Sequence, residues 1–418
     1  MTSMEQHSGV ARAPLPRAIL ASVLLVTCLA PLNATMIVVA LPHIVTGLRA
    51  QVGTGSQLVT SYLVVMAVLP PIGGRLGDRW GRRPVLLAGL ALFGLAVLGA
   101  STAGRLDVLI AWRVLQAVGA ATAFPNALAL LRHSVSAERR GMSFGLVGAV
   151  LALSAAAGPL IGQFLVARVD WRAVFWINLP LIAAAAGVAA LTLRDRSTSD
   201  SRRLGPTRSH RAPFRPALCH RGLADAALAM GLTNLAMYAA LVGIPLLLRT
   251  SSSGYLLVAL MGTAALAAPL GGRLADAWGR EATGVAGSLI LACGLLPVAI
   301  LGDGLSLRAM AAGLVLAGAG LGVSSTAIHT SGIEAADAGE SGSAAGLLAT
   351  SRYLGGAAGS GLTPFVMTAA PGAAIRVLFI VATAAALLAS LAVSRPRLAR
   401  GLAPRLRAEP DRARPWGE

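Results

Sequence analysis

Few residues in this sequence can do chemistry, and those few stand in or beside long apolar runs. Arg113 lies in Arg113-Val-Leu-Gln-Ala-Val-Gly-Ala-Ala121, Arg352 in Gly346-Leu-Leu-Ala-Thr-Ser-Arg-Tyr-Leu-Gly-Gly356, and Asp225 opens a third run. A charged side chain in a bilayer costs roughly 2.5 to 3.5 kcal/mol on insertion scales, so an arginine there must face other helices and find a partner. Hydrogen bonds to carbonyls of the first helix would satisfy Arg113 structurally. Arg352 either faces a central cavity or snorkels to the interface, and Asp225 suits the positive N-terminus of a helix. His43, His133 and His329 each fall near a helix end, where packing of a polar tip accounts for them. There is no nucleophile, base or metal constellation and no Walker motif, which argues against an enzyme and predicts neither cofactor nor metal. Cys28, Cys219 and Cys293 are odd in number and scattered, so no disulfide framework is indicated.

The elements that must position these residues are membrane helices. Of 418 residues, 56% are hydrophobic and 12% charged, against about 25% charged in a soluble domain. Apolar runs of about 20 residues, the length that crosses a hydrocarbon core, recur through the chain. The first carries no charge from Ala18 to Leu48, too long for the core of a signal peptide. The expectation is an all-α integral membrane protein of twelve transmembrane helices. All 35 basic residues are arginine, and most fall at the termini and in alternate loops, so the positive-inside rule makes both termini cytoplasmic. A charge of +18 with only 4% aromatic residues lacks the interleaving of a nucleic-acid groove, and no nucleic acid is expected. An arginine-rich stretch at 194–221 reads as a solvated tether near anionic headgroups of membrane lipids. It divides a six-helix bundle at 1–193 from a second at 222–395, with a cytoplasmic tail at 396–418.

The halves repeat. Pro71-Ile-Gly-Gly-Arg-Leu-Gly-Asp-Arg-Trp-Gly-Arg-Arg83 returns 198 residues later as Pro269-Leu-Gly-Gly-Arg-Leu-Ala-Asp-Ala-Trp-Gly-Arg-Glu281, with nine of thirteen positions identical. Pseudo-symmetric repeats of six helices are a transporter architecture with substrate between the halves near the midplane. The stretch Gly74-Arg-Leu-Gly-Asp-Arg-Trp-Gly-Arg-Arg83 resembles the signature loop between helices 2 and 3 of the major facilitator superfamily. Its second copy keeps Gly272, Asp276, Gly279 and Arg280. In physical terms Gly74 and Gly77 permit close helix approach, and Gly81 completes the motif. Asp78 suits a neighbouring helix N-terminus, and Arg79, Arg82 and Arg83 can pair with facing acids.

Helix 5, with Ser154, Gly158, Pro159 and Gly162 ahead of Gln163, resembles the antiporter motif of that superfamily, although Ser154 and Gln163 stand where glycines are usual. Small residues there would let helix 5 slide against its pseudo-symmetric partner. Leu32-Asn-Ala-Thr-Met-Ile-Val-Val-Ala-Leu-Pro42, Asp170-Trp-Arg-Ala-Val-Phe-Trp-Ile-Asn-Leu-Pro180 and the helix 11 segment resemble the drug:proton antiporter branch best known from fourteen-helix multidrug exporters. Here twelve helices are counted, and Asn33 stands where that branch commonly has aspartate.

The resemblance implies a monomeric secondary active transporter of the bacterial cell membrane that exports hydrophobic or amphipathic small molecules by alternating access, in exchange for protons. Arg113, with which the family associates proton coupling, Asp225 and Arg352 are the coupling candidates. The expected cavity is mostly apolar and lined by Asn33, Met36, Tyr62, Met66, Gln116, Phe124, Asn126, Asn234, Met237 and Tyr238. Proton-linked uptake of a small metabolite and a transporter-like receptor are the competing readings. The loop between helices 10 and 11 carries Glu334, Asp337 and Glu340, which Arg79, Arg82 or Arg83 are expected to reach, with Asp78 facing the start of helix 11 around Ser341.

Overall fold

A computed structural model describes residues 17–135, 137–192, 221–248, 253–335 and 341–406. In a bilayer every backbone amide must be satisfied internally, which leaves helices or closed barrels; the described residues form helices and no strand. The N-terminal half holds α1 (Arg17–Gly47), α2 (Gln57–Val68 continued by Pro70–Trp80), α3 (Arg82–Thr102), α4 (Leu106–Ser134), α5 (Ala137–Arg168) and α6 (Asn178–Thr192, entered through a turn at Ala173–Trp176). The C-terminal half holds α7 (Arg221–Leu248), α8 (Ser253–Trp278), α9 (Arg280–Leu301), α10 (Leu307–Glu334), α11 (Ser341–Ala369) and α12 (Ala374–Leu406).

Ten of these helices are long and apolar enough to span a membrane, and the bent pair in α2 makes an eleventh. The twelfth, α11, has the length at 29 residues but is diluted by glycine, serine, threonine and Arg352. Two boundaries differ from expectation. Arg221, placed in the linker, opens α7, and α12 runs to Leu406, past the expected start of the tail at 396. The remainder of the linker and of the tail lies outside the described residues.

Pro70 and Pro71 explain the 49° bend in α2, since neither can donate a backbone hydrogen bond and each ring crowds the preceding turn. The turn into α3 requires Gly81, whose φ of 94° excludes a side chain. Gly279, 198 residues on, has φ 86° at the turn into α9, so the sequence repeat is also a backbone repeat.

Packing repeats in the same way. In the first half α1 packs on α5 and α6, α4 on α2 and α3, and α3 on α6. In the second half α7 packs on α11 and α12, α10 on α8 and α9, and α9 on α12. These are the same five pairs shifted by six helices: two pseudo-symmetric six-helix bundles. Small residues make the approach close: a Cβ on Gly89 would meet backbone of Gly119 and Ala123, and one on Gly287 backbone of Ser324.

Between the bundles, α2 lies on α11 and α5 on α8. These pairings correct the expectation that α5 slides on its symmetry mate, α11: its partner across the interface is α8, where Gln163 fills the space beside Gly254. The side-chain contacts across this interface lie mostly away from the face where α1 begins and α12 ends, here the terminal face. Thr60 and Ser360 hydroxyls are 2.8 Å apart. Gly53 leaves room for Pro364, and Gly55 for Val45 and Leu246. Nearer the terminal face Thr350 donates to the Ala67 carbonyl at 3.3 Å, while Gly74 on α2 and Gly346 on α11 have nothing within 4 Å. The bundles meet at the opposite face and part towards the terminal one.

Candidate functional site

Arg113 is fully buried on α4, two turns from the helix end opposite the terminal face. Its guanidinium lies 4.5 Å from the centre of the Tyr62 ring, and its Nη1 donates to Gln116 Oε1 at 2.8 Å. Its Nε reaches the Leu58 carbonyl at 3.4 Å. The carbonyl it finds is therefore on α2, not on the first helix as the sequence reading allowed. The segment Gln57–Val68 packs on α4, and that is why Leu58 and Tyr62 are the residues presented.

Several donors around Arg113 remain unused. Arg113 Nη2, Gln116 Nε2, Asn33 Nδ2 and Tyr62 Oη are buried without a well-formed hydrogen bond among the described residues. Tyr62 also faces Asn33, so α1, α2 and α4 all contribute to the cluster.

From the other bundle come Tyr238 on α7 and Tyr353 on α11, both within electrostatic reach of Tyr62, with Tyr238 also near Arg113. The chain has four tyrosines, and three lie within electrostatic reach of one another here. Gly356, one turn along α11, makes room for the Tyr238 ring and Leu63. Arg352 stands beside Tyr353 on the terminal-face side, only partly buried, with the Met230 sulfur at 3.9 Å and His329 nearby. It therefore faces helices of its own bundle. Asn234 donates to the Met230 carbonyl at 2.9 Å on the same side.

Other residues expected in the cavity lie elsewhere. Asn126 is buried between α4 and α2, donating to the Gly73 carbonyl at 2.9 Å and the Thr122 carbonyl at 2.8 Å, with Gly77 against it. It is a clasp for the signature segment. Phe124 lines a small apolar crevice with Val26, Leu29, Leu90 and Phe93 inside the N-terminal bundle. Met36 is core, its backbone against Gly162, and Gly158 meets Thr35 and the Leu32 carbonyl, so the helix 5 motif fixes α5 onto α1. Ser154 and Met66 are buried and Met237 is partly so. Pro159 lies within an unbroken α5.

The charged candidates at the terminal face pair differently from expectation. Asp78 binds Arg82 one turn on at 2.6 Å, Arg83 donates to the Ala190 carbonyl of α6, and Arg79 is exposed. Glu334 pairs with Arg280 of its own bundle, not with the arginines after α2, because the α9–α10 packing brings these two ends together. Asp337 and Glu340 lie outside the described residues, as does the Ser341 side chain. Asp276 is exposed, and Gly272 has only the Thr326 methyl within 4 Å. Asp225 pairs with Arg395 of α12 at 3.6 Å, on the terminal side of the bundle. Sequence reading missed Tyr353, Thr60 and Ser360, which stand on α2 and α11, the helices that pack across the interface.

Residues 23–360 match the family described as Major Facilitator Superfamily. The chain is 31% identical over 397 residues to an uncharacterized transporter of the same type, YvkA of Bacillus subtilis, covering 82% of this chain and 89% of that one. It is 35% identical over 196 residues to the tetracenomycin C resistance and export protein of Streptomyces glaucescens, covering 45% of this chain and 36% of that one. The methylenomycin A resistance protein of Bacillus subtilis is 35% identical over 188 residues, 44% of this chain and 40% of that one. Among solved structures, a D-xylose-proton symporter superimposes with a TM-score of 0.72 at 13% identity, over 91% of this chain and 97% of that one. A partially occluded inward-open xylose transporter from E. coli gives 0.71 at 14%, over the same shares.

Proposed function

Because this chain belongs to the Major Facilitator Superfamily, we propose that it is a secondary exporter of hydrophobic or amphipathic small molecules. The observation that carries the reading is the convergence of Tyr62, Tyr238 and Tyr353, with Arg113 and Arg352, between two bundles that touch at one face and part at the other. Aromatic faces and a few polar groups in an apolar setting are the usual make-up of a site for amphipathic cargo. Residues 1–193 and 222–395 rock as two bodies about the α2–α11 and α5–α8 contacts. The similarity to two resistance proteins supports export.

On the positive-inside rule the terminal face is cytoplasmic, in a bacterial cell membrane, and the arrangement is then open inward. Protons are the counter-ion the family resemblance implies, and it is the resemblance that associates Arg113 with their coupling; neither Asn33 nor a guanidinium releases a proton itself. The functional unit is the monomer. Reconstitution of the full chain in liposomes with an internal pH dye tests this directly. Substrate-driven proton movement opposite to the cargo is the expected result, and cargo accumulation without it removes the antiport step.

A further inference from the structure

Among the described residues the interior of the bundles carries positive charge and no negative charge. Each acid of the described helices lies within about a turn and a half of a helix end: Asp78, Asp107, Glu138, Asp225, Asp276, Glu281 and Glu334. Deep in the spans the fixed charges are Arg113 and Arg352, one from each bundle, on either side of the tyrosines. Neither has a carboxylate among its partners: Arg113 has Tyr62, Gln116 and a carbonyl, and Arg352 has a thioether.

The unused polar atoms have the same character. Arg113 Nη2, Gln116 Nε2 and Asn33 Nδ2 can only donate, and the Tyr62 hydroxyl can. A buried donor without an acceptor is unfavourable, and the group that best completes a guanidinium is a planar anion taking two parallel hydrogen bonds. A cationic cargo would meet two like charges in a low-dielectric cavity with no counter-charge to offset them.

We infer that this transporter selects amphipathic molecules with an apolar body and one carboxylate or comparable acidic group. The inference rests on the export reading above and names its substrate class. Arg352, partly exposed where the bundles are parted, is the entry contact. Arg113, sealed behind Tyr62, is the inner contact that the anion gains when the tyrosines move apart. The apolar body lies against the tyrosine rings.

Three probes with one phenylbutyl body test this on the purified full-length protein: 4-phenylbutyrate, 4-phenylbutan-1-ol and 4-phenylbutylamine, each titrated while the thermal-unfolding midpoint is read. The carboxylate is expected to half-saturate at a concentration about tenfold below the amine, with the alcohol between them. Arg352→Gln should narrow the gap between carboxylate and alcohol, and Arg352→Gln combined with Arg113→Gln should close it, while the midpoint of Arg352→Gln without ligand stays near that of the parent. An amine that binds as well as the carboxylate overturns the inference but leaves the amphipath reading standing. So does a carboxylate preference that survives both Arg352→Gln and Arg113→Gln. If none of the three shifts the midpoint, both readings fail together.

Discussion

The Arg113 guanidinium sits 4.5 Å over the ring of Tyr62, so the buried charge of one helix is capped by the aromatic face of its neighbour. A desolvated contact of this kind is worth about 2 kcal/mol, the same order as the roughly 2.5 to 3.5 kcal/mol cost of an arginine at membrane depth. The contact offsets much of that cost, and the unpaired Nη2 donor is the unfavourable remainder.

Arg113→Ala should therefore abolish transport while the protein stays folded in the membrane. Arg113→Lys should recover it only in part, because an ammonium lacks the planar fork. Tyr62→Phe keeps the ring and should retain more activity than either. Initial rates of cargo flux in liposomes, read beside unfolding midpoints, check the series; full flux in the alanine variant would sink the role of Arg113.

Two glycines one turn apart should respond in opposite senses. A Cβ at Gly77 would run into Asn126 and break its bonds to Gly73 and Thr122, so Gly77→Ala should destabilise by about 1 to 3 kcal/mol. Gly74 has open space around it, and Gly74→Ala should be neutral or stabilising by up to about 1 kcal/mol from helix propensity. Unfolding midpoints of the two variants decide, and equal losses would contradict the packing.

Asp78 pairs with exposed Arg82, a contact worth about 0 to 1 kcal/mol, so its neutralisation should barely change stability. The expected effect is on the balance of states: Asp78→Asn should widen the separation of the terminal-face ends of α2 and α11 and slow turnover more than it weakens binding. Spin-label distances across those ends test this. An unchanged distribution would leave Asp78 a folding residue only.

Cysteines placed at Thr60 and Ser360, joined by a short bifunctional thiol reagent, should cross-link readily and stop turnover until the link is cleaved, since these hydroxyls are 2.8 Å apart across the closed face. Continued transport by the linked protein would rule out rocking of the two bundles.

An anionic cargo moves charge. Each charge crossing 100 mV carries about 2.3 kcal/mol, so 4-phenylbutyrate efflux should quicken when a potassium diffusion potential makes the terminal-face compartment negative. A flux indifferent to that potential would speak against a charged substrate.

The fold was readable because hydropathy and the repeat of residues 71–83 at 269–281 both act at long range: the first counts spans, the second pairs them. The site was readable only in part. Arg113 announces itself as a charge in an apolar run, but its partner depended on how α2 packs on α4, which no local pattern gives. Asn126 was misassigned although periodicity held the signal, since thirteen residues at about 100° each put it about 140° around α4 from Arg113. Glu334 was assigned to the arginines after α2 on charge and on the helix 2–helix 11 proximity that the resemblance implies, whereas α9–α10 packing puts Arg280 nearer. Tyr353 was overlooked because its meeting with Tyr62 and Tyr238 needs three helices from two bundles.

The break in α2 makes that helix a lever with a fulcrum. Its segment Gln57–Val68 is clamped between α11 and α4, whereas Pro70–Trp80 is carried by α3 and α4. The second arm holds 11 residues, about 16 Å of helix at 1.5 Å per residue. A tilt of about 10° at Leu69 would then sweep its tip sideways by roughly 3 Å, comparable to the reach of a salt bridge. Small rotations at the clamped face are thus geared into the make-or-break distance of the charged groups at the far one.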